Sequence, residues 1–356
     1  MQPMDPSALT SWFDQRVADH QFSGVALVWR DGAPLYSYAG GLAHRGHGVP
    51  VTEATRFGVA SVTKMVTATA VLRLVDRRLI ALHQPVQELL PVAQRPTAMT
   101  AEHTVHHLLS HTSGLADYSD DEDQSWTSFT AIFDRIPSYH LRRPADLLPL
   151  FADRPAAFPP GAMYQYCDAN YVLLGLVLEA LTGRPYAEVA ADEVLGPAGM
   201  SDSSFEALDE EPPRLATGYL ASAETPPQSW GSNVFSLTAA GMPDGGMITT
   251  ARDLVRLVEA LLDGNLVSPA SLAAMRIPQG PSRDGVDRYG YGLELVVLDD
   301  EVIILGHGGS DPGVSARVSH DLRTATTIVV LCNLTRGSWV AAQQLELALG
   351  IVDPRS

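Results

Sequence analysis

A serine and a lysine three positions apart are the first candidates for chemistry in this chain. Ser61 and Lys64 open an apolar-periodic stretch, MVTATAVLRLV, that predicts a helix. Residues three apart on a helix share a face with Cβ atoms about 5–6 Å apart, so the hydroxyl and the amine can meet. A helix N-terminus disfavours an ammonium and offers N–H groups to an oxyanion. The pair therefore predicts a serine nucleophile beside a neutral lysine.

The basic residues single out Lys64. Among 24 Lys and Arg residues in 356, Lys64 is the single lysine. Only an amine can lose its proton near neutral pH, because a guanidinium stays charged to above about pH 12. Replacing Lys64 by Arg is therefore expected to abolish turnover while leaving the fold in place. The alternative is that Ser61 only caps a helix and Lys64 is a surface cation.

Two further candidates precede another predicted helix, residues 170–181. The hydroxyl of Tyr166 can pass protons where nearby positive charge lowers its pKa from about 10. Its alternative is an aromatic packed on the core. Asp168 either contacts the substrate or N-caps the helix that follows it.

The stretch GHGGS at 306–310 follows a predicted strand. Glycines there let a substrate approach the backbone and expose N–H groups to a developing oxyanion. We expect a substrate and oxyanion site formed by His307, Gly308, Gly309 and Ser310. The alternative for His307 is a strand-end histidine with a local hydrogen bond.

A metal site is disfavoured. His103, His107 and His111 are spaced four apart, but they straddle a predicted helix end and have no carboxylate or cysteine at ligand spacing. We expect no metal and no organic cofactor. The two cysteines, Cys167 and Cys332, are expected to be reduced.

The elements that must position these residues predict an α+β fold. A hairpin turning at Asp31-Gly32 and further strands over 291–331 belong to one antiparallel sheet of five-stranded type, flanked by terminal helices. Mainly helical periodicity fills the middle of the chain. We therefore expect a sheet region from residues 1–58 and 225–356, a helical region from 59–224, and an active site in the cleft between them.

The segment 115–143 has weak periodicity and mixes acidic residues with aromatics. A loop this long in a compact protein is often functional, so it is a candidate pocket wall or lid. The alternative, which we favour, is an acidic solvated face over a few packed aromatics.

The order of these motifs resembles the serine β-lactamase-like family, which includes class C β-lactamases, penicillin-binding DD-peptidases, D-aminopeptidases and related serine esterases. HLLSHTSGL at 107–115 and GGMITTARDL at 245–254 also resemble family motifs, and the resemblance runs from about residue 10 to 350. It implies Ser61 as the nucleophile, proton transfer by Lys64 and Tyr166, and an oxyanion hole from the N–H groups of Ser61 and Ser310. It does not decide whether Lys64 or Tyr166 is the acylation base.

Two departures from the family pattern bear on the substrate. Asp168 stands where the β-lactamases have Asn, and His307 stands where they have the Lys of the K-T-G motif. The second change removes a fixed positive charge, and the chain carries a net charge of −17. Substrates that are neutral or carry an amine are therefore expected rather than anionic β-lactams or peptide carboxylates.

These observations predict a serine hydrolase that forms an acyl-enzyme on Ser61 with carboxylic esters or small amides. The alternatives are a β-lactamase or D-amino-acid peptidase, and a non-catalytic binding member of the same fold. The expected partner is a small-molecule substrate, since a surface this acidic repels nucleic acid and anionic lipid. No run approaches a membrane span and the first residues do not resemble a signal peptide, so we expect a cytoplasmic protein.

Overall fold

A six-stranded antiparallel sheet lies at the centre of the protein. The structure, a computed structural model, describes residues 4–119, 131–222, 227–279 and 288–351. The strands are β1 (Gly24–Arg30), β2 (Ala33–Gly40), β3 (Glu294–Leu298), β4 (Glu301–Asp311), β5 (Val314–Asp321) and β6 (Thr326–Cys332). Their spatial order is β2-β1-β6-β5-β4-β3, so the two ends of the chain pair at the middle of the sheet. The predicted α+β class and antiparallel sheet are confirmed, with six strands in place of five.

The hairpin turns follow the predicted chemistry. Asp31 and Gly32 between β1 and β2 have φ of 53° and 74°, and Asp299 and Asp300 between β3 and β4 have φ of 51° and 64°. Positive φ at both central residues gives a turn whose twist matches that of the flanking strands. Short polar residues and glycine accept this conformation at low cost.

Strand β4 is longer than its sequence indicates. The predicted strand ends near Leu305, but β4 continues through the glycine-rich stretch to Asp311, paired with β5 throughout. Glycine depresses strand propensity, which explains the early predicted end. Side chains at Gly308 and Gly309 would overlap Trp339 and the carbonyl of Val59, so close packing on both faces of the strand selects glycine.

The helices cover both faces of the sheet. Their bounds are α1 (Pro6–Ala18), α2 (Thr63–Asp76), α3 (Val105–Leu109), α4 (Ile132–Arg135), α5 (Leu148–Phe151), α6 (Asp168–Thr182), α7 (Tyr186–Ala190), α8 (Ala251–Leu262), α9 (Pro269–Met275) and α10 (Gly337–Leu349). The predicted terminal helices and the helical middle are confirmed, while α9 was not predicted. Among the described residues, none of the helices has the length and apolar character needed to cross a bilayer.

Alternate residues of the central strands enter two separate cores. On β1, Val25 and Leu27 pack with the helices of the middle region, whereas Ala26 and Val28 pack under α1 and α10. This division follows from the two-residue period of a strand. The first core is the larger and contains α2 and α6, so both helices that carry candidate site residues are firmly packed.

Shorter elements complete the chain. Two-residue and three-residue strands form the pairs Leu42–His44 with Val49–Pro50, Phe57–Gly58 with Ile248–Thr249, and Tyr219–Ala221 with Trp230–Ser232. Single helical turns lie at Ala60–Val62, Val86–Glu88, Val92–Gln94, Ser138–His140, Pro144–Leu147, Ala191–Leu195 and Leu208–Glu210. Cys167 and Cys332 are both buried and reduced, as predicted.

Candidate active site

Ser61 lies in a tight turn between a short strand and α2. The strand Phe57–Gly58 is followed by Ala60, which has a left-handed φ of 46°, and by the helical turn that contains Ser61. Strand β4 crosses directly beside this turn, since a Cβ on Gly309 would lie 3.0 Å from the Ser61 nitrogen. The strained turn and the glycine together bring the backbone of β4 against the amide of Ser61.

Lys64 lies one turn further on and is completely buried. Its Nζ donates to Ser61 Oγ at 3.0 Å, to Asp168 Oδ1 at 2.5 Å and to the carbonyl oxygen of Asp244 at 2.7 Å. An ammonium has three N–H donors, so all three are used. The predicted meeting of the Ser61 hydroxyl and the Lys64 amine is therefore present in the structure.

The expected neutral state of Lys64 is wrong. Burial by itself lowers the pKa of Lys64, but the carboxylates of Asp168 and Asp244 outweigh it and raise this pKa above its usual value. Lys64 is therefore an ammonium at neutral pH in the resting protein. Position at a helix start was the basis for expecting a neutral amine, and two carboxylates brought in by the fold override that effect.

Asp168 is not the N-cap of the helix that follows it. Helix α6 begins at Asp168 itself, and the carboxylate of Asp117 accepts from the backbone N–H groups of Asp168 at 2.7 Å and Ala169 at 3.1 Å. Asp117 therefore caps the helix from a distant loop, and the side chain of Asp168 is left to pair with Lys64. Nothing in the local spacing identifies Asp117 as the capping residue.

Tyr166 packs between Lys64 and a buried histidine. The Nζ of Lys64 lies 5.0 Å from the ring centroid of Tyr166, and the ring of His111 lies 4.4 Å away on a tilted plane. Burial and the charge of Lys64 hold the pKa of His111 well below its usual value, so the histidine is neutral. Its Nδ1 accepts from the N–H of Cys167 at 3.1 Å, which fixes the ring against the segment that carries Tyr166.

His307 is buried behind the site rather than exposed to it. Its side chain is 1% exposed, and burial lowers its pKa to about 4 although Glu294 opposes this. Nδ1 donates to the Gly308 carbonyl at 2.5 Å, so Nε2 accepts the hydroxyl proton of Tyr289 at 3.0 Å. His307 is thus a neutral, enclosed ring that supports the strand, and its expected contact with the substrate stays a prediction.

The remaining residues of the GHGGS stretch alternate between the two faces of β4. Gly308 faces Trp339 and its N–H donates to Glu294 Oε1 at 3.1 Å, while Ser310 Oγ donates to the carbonyl of Thr335 at 3.0 Å. The Ser310 side chain thus faces away from Ser61, and only its backbone can serve the site. Desolvation raises the pKa of Glu294, but the Arg317 guanidinium and the N–H of Gly308 outweigh it and lower this pKa to about 2.

A pocket of about 210 Å³ opens beside Ala60, next to Ser61. Tyr118, Ile132 and Phe133 contribute to its wall, so these residues of segment 115–143 have the pocket-wall role that we considered but did not favour. The part of that segment from 120 to 130 lies outside the described residues. The lining also includes Asp244 and Asp311, two carboxylates that sequence patterns did not indicate.

The three histidines considered for metal binding have other partners. The Nδ1 atoms of His103 and His107 accept from the backbone N–H groups of Thr100 and Thr104. Within the described ranges, no group of three His, Cys, Asp or Glu side chains is arranged to hold a metal ion.

The sequence and the fold are both similar to proteins of known class. The chain is 36% identical over 317 residues to esterase EstB of Burkholderia gladioli, covering 82% of this chain and 80% of that protein. It is 33% identical over 329 residues to penicillin-binding protein 4 of Amycolatopsis lactamdurans, covering 87% and 81%. The crystal structure of a penicillin-binding protein from Bacillus halodurans superimposes with a TM-score of 0.86 at 33% identity, covering 94% of this chain and 99% of that one.

The family description "Beta-lactamase" matches residues 9–351, which contain every candidate site residue discussed above. The chain therefore belongs to the β-lactamase family of serine hydrolases.

Proposed function

We propose that the protein hydrolyses carboxylic esters or small amides through an acyl-enzyme on Ser61. The observation that carries this proposal is the 3.0 Å hydrogen bond between Lys64 Nζ and Ser61 Oγ, beside a pocket and against the glycine-rich backbone of β4. A hydroxyl held by a basic group and next to free backbone N–H groups is the arrangement that acyl transfer requires. The backbone N–H groups of Ser61 and Ser310 would hold the oxyanion.

The protonated state of Lys64 determines the proton path that we propose. The Lys64 ammonium must first lose its proton to water, which the carboxylate of Asp168 at 2.5 Å disfavours. The neutral amine then takes the Ser61 hydroxyl proton as the oxygen bonds to the substrate carbonyl carbon. When the tetrahedral intermediate collapses, the proton on Lys64 passes to the leaving group, and we assign Tyr166 as the relay. Water then cleaves the acyl-enzyme with the same groups acting in reverse.

The charge of the site favours esters and amides without an anionic group. The pocket beside Ser61 contains Glu206, Asp244 and Asp311, and its described lining includes no Lys, Arg or His. His307, which stands at the position of the β-lactamase lysine, is neutral and buried. The carboxylate of a β-lactam would therefore meet acidic side chains and no cation in the described lining of the pocket. The similarity to esterase EstB supports the same preference.

A chromogenic panel tests the proposal. We expect kcat/KM for p-nitrophenyl acetate and butyrate to exceed that for a chromogenic cephalosporin by at least about tenfold, and Ser61→Ala to remove both activities. Faster cephalosporin hydrolysis would replace the esterase assignment with the β-lactamase alternative. Absence of Ser61-dependent turnover on every substrate would favour a non-catalytic binding protein.

A further inference from the structure

The face of β4 that contacts Ser61 also carries an acidic residue. His307, Gly309 and Asp311 alternate with Gly308 and Ser310, which face α10 and its flanking loop. Gly309 lies against the Ser61 amide, so Asp311 follows on the same face about 7 Å further along the strand. Asp311 is partly exposed and lines the pocket beside Ser61.

Two carboxyl groups in the lining of this pocket, Asp244 and Asp311, form no ion pair with the described residues. Asp244 is 4% exposed, its Oδ2 accepts from the Tyr118 hydroxyl, and its Oδ1 has no hydrogen-bond donor among the described residues. Among the residues that the structure describes, the side chain of Asp311 has no ion-pair or hydrogen-bond partner. A buried oxygen without a donor is costly, and a donor from a bound molecule would remove that cost.

The neighbouring cations cannot satisfy these groups. Lys64 uses all three N–H donors on Ser61, Asp168 and the backbone of Asp244. The third carboxylate of the pocket, Glu206, is already paired with Arg56 at 2.8 Å. Asp244 and Asp311 are therefore the acidic groups of the pocket that remain available to a bound molecule.

We infer that Asp244 and Asp311 form a subsite for a positively charged amine, so that the preferred substrate is an ester or amide carrying an ammonium group a few bonds from its carbonyl. This inference rests on the proposed function and assigns its substrate class. The remaining pocket wall includes Leu208, Leu237, Met242 and Val314, so the amine would enter on a short apolar chain. The N–H groups of this amine, or the methyl groups of a quaternary ammonium, would contact the two carboxyl groups while the substrate carbonyl carbon faces Ser61.

Selectivity should depend on pH. Burial, Asp168 and Asp244 raise the pKa of Asp311 to about 8, while Lys64 opposes them. Asp311 is thus mostly protonated at pH 7 and ionised at pH 9. As Asp311 loses its proton, the site attracts a permanently charged substrate more strongly. The ratio of kcat/KM for the charged substrate to that for a neutral one should therefore rise from pH 7 to pH 9.

Two isosteric ester pairs test the subsite. One pair places the charge in the acyl group, comparing p-nitrophenyl 4-(trimethylammonio)butanoate with p-nitrophenyl 5,5-dimethylhexanoate. The other pair places the charge in the alcohol, comparing acetylcholine with 3,3-dimethylbutyl acetate. In at least one pair we expect the charged ester to be preferred, with the preference rising from pH 7 to 9. Asp311→Asn should reduce that preference about tenfold and remove its pH dependence.

The matched control is Glu206→Gln, which neutralises the pocket carboxylate already paired with Arg56. This variant should change the preference for the charged over the neutral ester by less than about twofold, which corresponds to the small energy of a solvent-exposed ion pair. A preference that is absent from both pairs, or unchanged in Asp311→Asn, overturns the inference while Ser61-dependent hydrolysis of the neutral esters leaves the proposed function standing.

Calorimetry separates the subsite from catalysis. If no ester is hydrolysed, the proposed function fails, and titration with n-pentylammonium chloride then decides the subsite by itself. Binding to the unaltered protein at pH 9 that is weaker by about tenfold in Asp311→Asn supports it. Equal binding by both proteins overturns it, and thermal unfolding of each variant confirms that the fold is retained.

Discussion

The Lys64 ammonium donates to the Asp168 carboxylate across 2.5 Å while also holding the Ser61 hydroxyl. The side chain of Lys64 is fully buried and that of Asp168 is 15% exposed, so this ion pair is largely removed from water. Such a pair ties the charge of the lysine to a residue 104 positions away in sequence. The protonation of Lys64, and with it the reactivity of Ser61, therefore depends on Asp168.

Asp168→Asn should shift the pH dependence of ester hydrolysis. The Asp168 carboxylate raises the pKa of Lys64, so an amide at this position lowers the pKa of Lys64 and leaves more of the amine neutral at a given pH. The acidic limb of the kcat/KM profile should move towards lower pH in the variant. Profiles measured from pH 6 to 10 check this, and an unmoved limb would show that Lys64 is not the titrating base.

Gly309→Ala should impair catalysis much more than Gly308→Ala. A methyl group at Gly309 meets the Val59 carbonyl and the Ser61 amide, which are backbone atoms that cannot rotate away. We expect a loss of about 1–3 kcal/mol in unfolding free energy and about 10²-fold in kcat, since the oxyanion donors are displaced. At Gly308 the methyl meets the end of the Trp339 ring, which is 40% exposed and can move aside. Similar losses in both variants would contradict the account.

Tyr166→Phe should lower kcat about 10²–10⁴-fold because the hydroxyl is removed from the proton path. The ring contact with His111 persists in this variant, so the fold should be retained. Tyr164→Phe is the control, since its ring lies 6.2 Å from His111 and was not placed in the proton path. Steady-state kinetics with one p-nitrophenyl ester compare the two. A small effect at Tyr166 would leave proton transfer to Lys64 alone.

Asp117→Ala should reduce both stability and activity, whereas Asp5→Ala should reduce stability alone. Each aspartate caps a helix by accepting from two backbone N–H groups, Asp117 at the start of α6 and Asp5 at the start of α1. Loss of a cap costs about 1 kcal/mol. Asp168 is in the first turn of α6, so fraying of α6 should displace the partner of Lys64, whereas fraying of α1 should not. Thermal unfolding and esterase assays on both variants test this, and full activity in Asp117→Ala would show that the cap does not position Asp168.

Local patterns were sufficient to predict most of the central strands and longer helices, and the meeting of Ser61 with Lys64. The hairpin at Asp31-Gly32 depends on two adjacent residues, and the Ser61–Lys64 contact depends on one helical turn. Neither feature depends on residues that are distant in the sequence. The division at residues 58/59 and 224/225 into two regions stays a prediction.

The charges of the site could not be predicted in the same way. Lys64 is ionised because Asp168 and Asp244 are brought to it by α6 and by the loop before α8, and no spacing in the sequence links these residues. The placement of Asp311 depends on β4 continuing through glycines that are unfavourable in an isolated strand. His307 similarly became a buried supporting residue because Tyr289 and Glu294 pack around it.

Covalent labelling tests the central role of Ser61 most directly. A fluorophosphonate should be attacked by the Ser61 oxygen at phosphorus with loss of fluoride, and mass spectrometry of the intact protein should show one adduct. Peptide mapping should place the adduct on Ser61, and Ser61→Ala should remain unlabelled with an unchanged unfolding temperature. An adduct on another residue, or a folded wild-type protein that takes up no label, would contradict the assignment of Ser61 as the nucleophile.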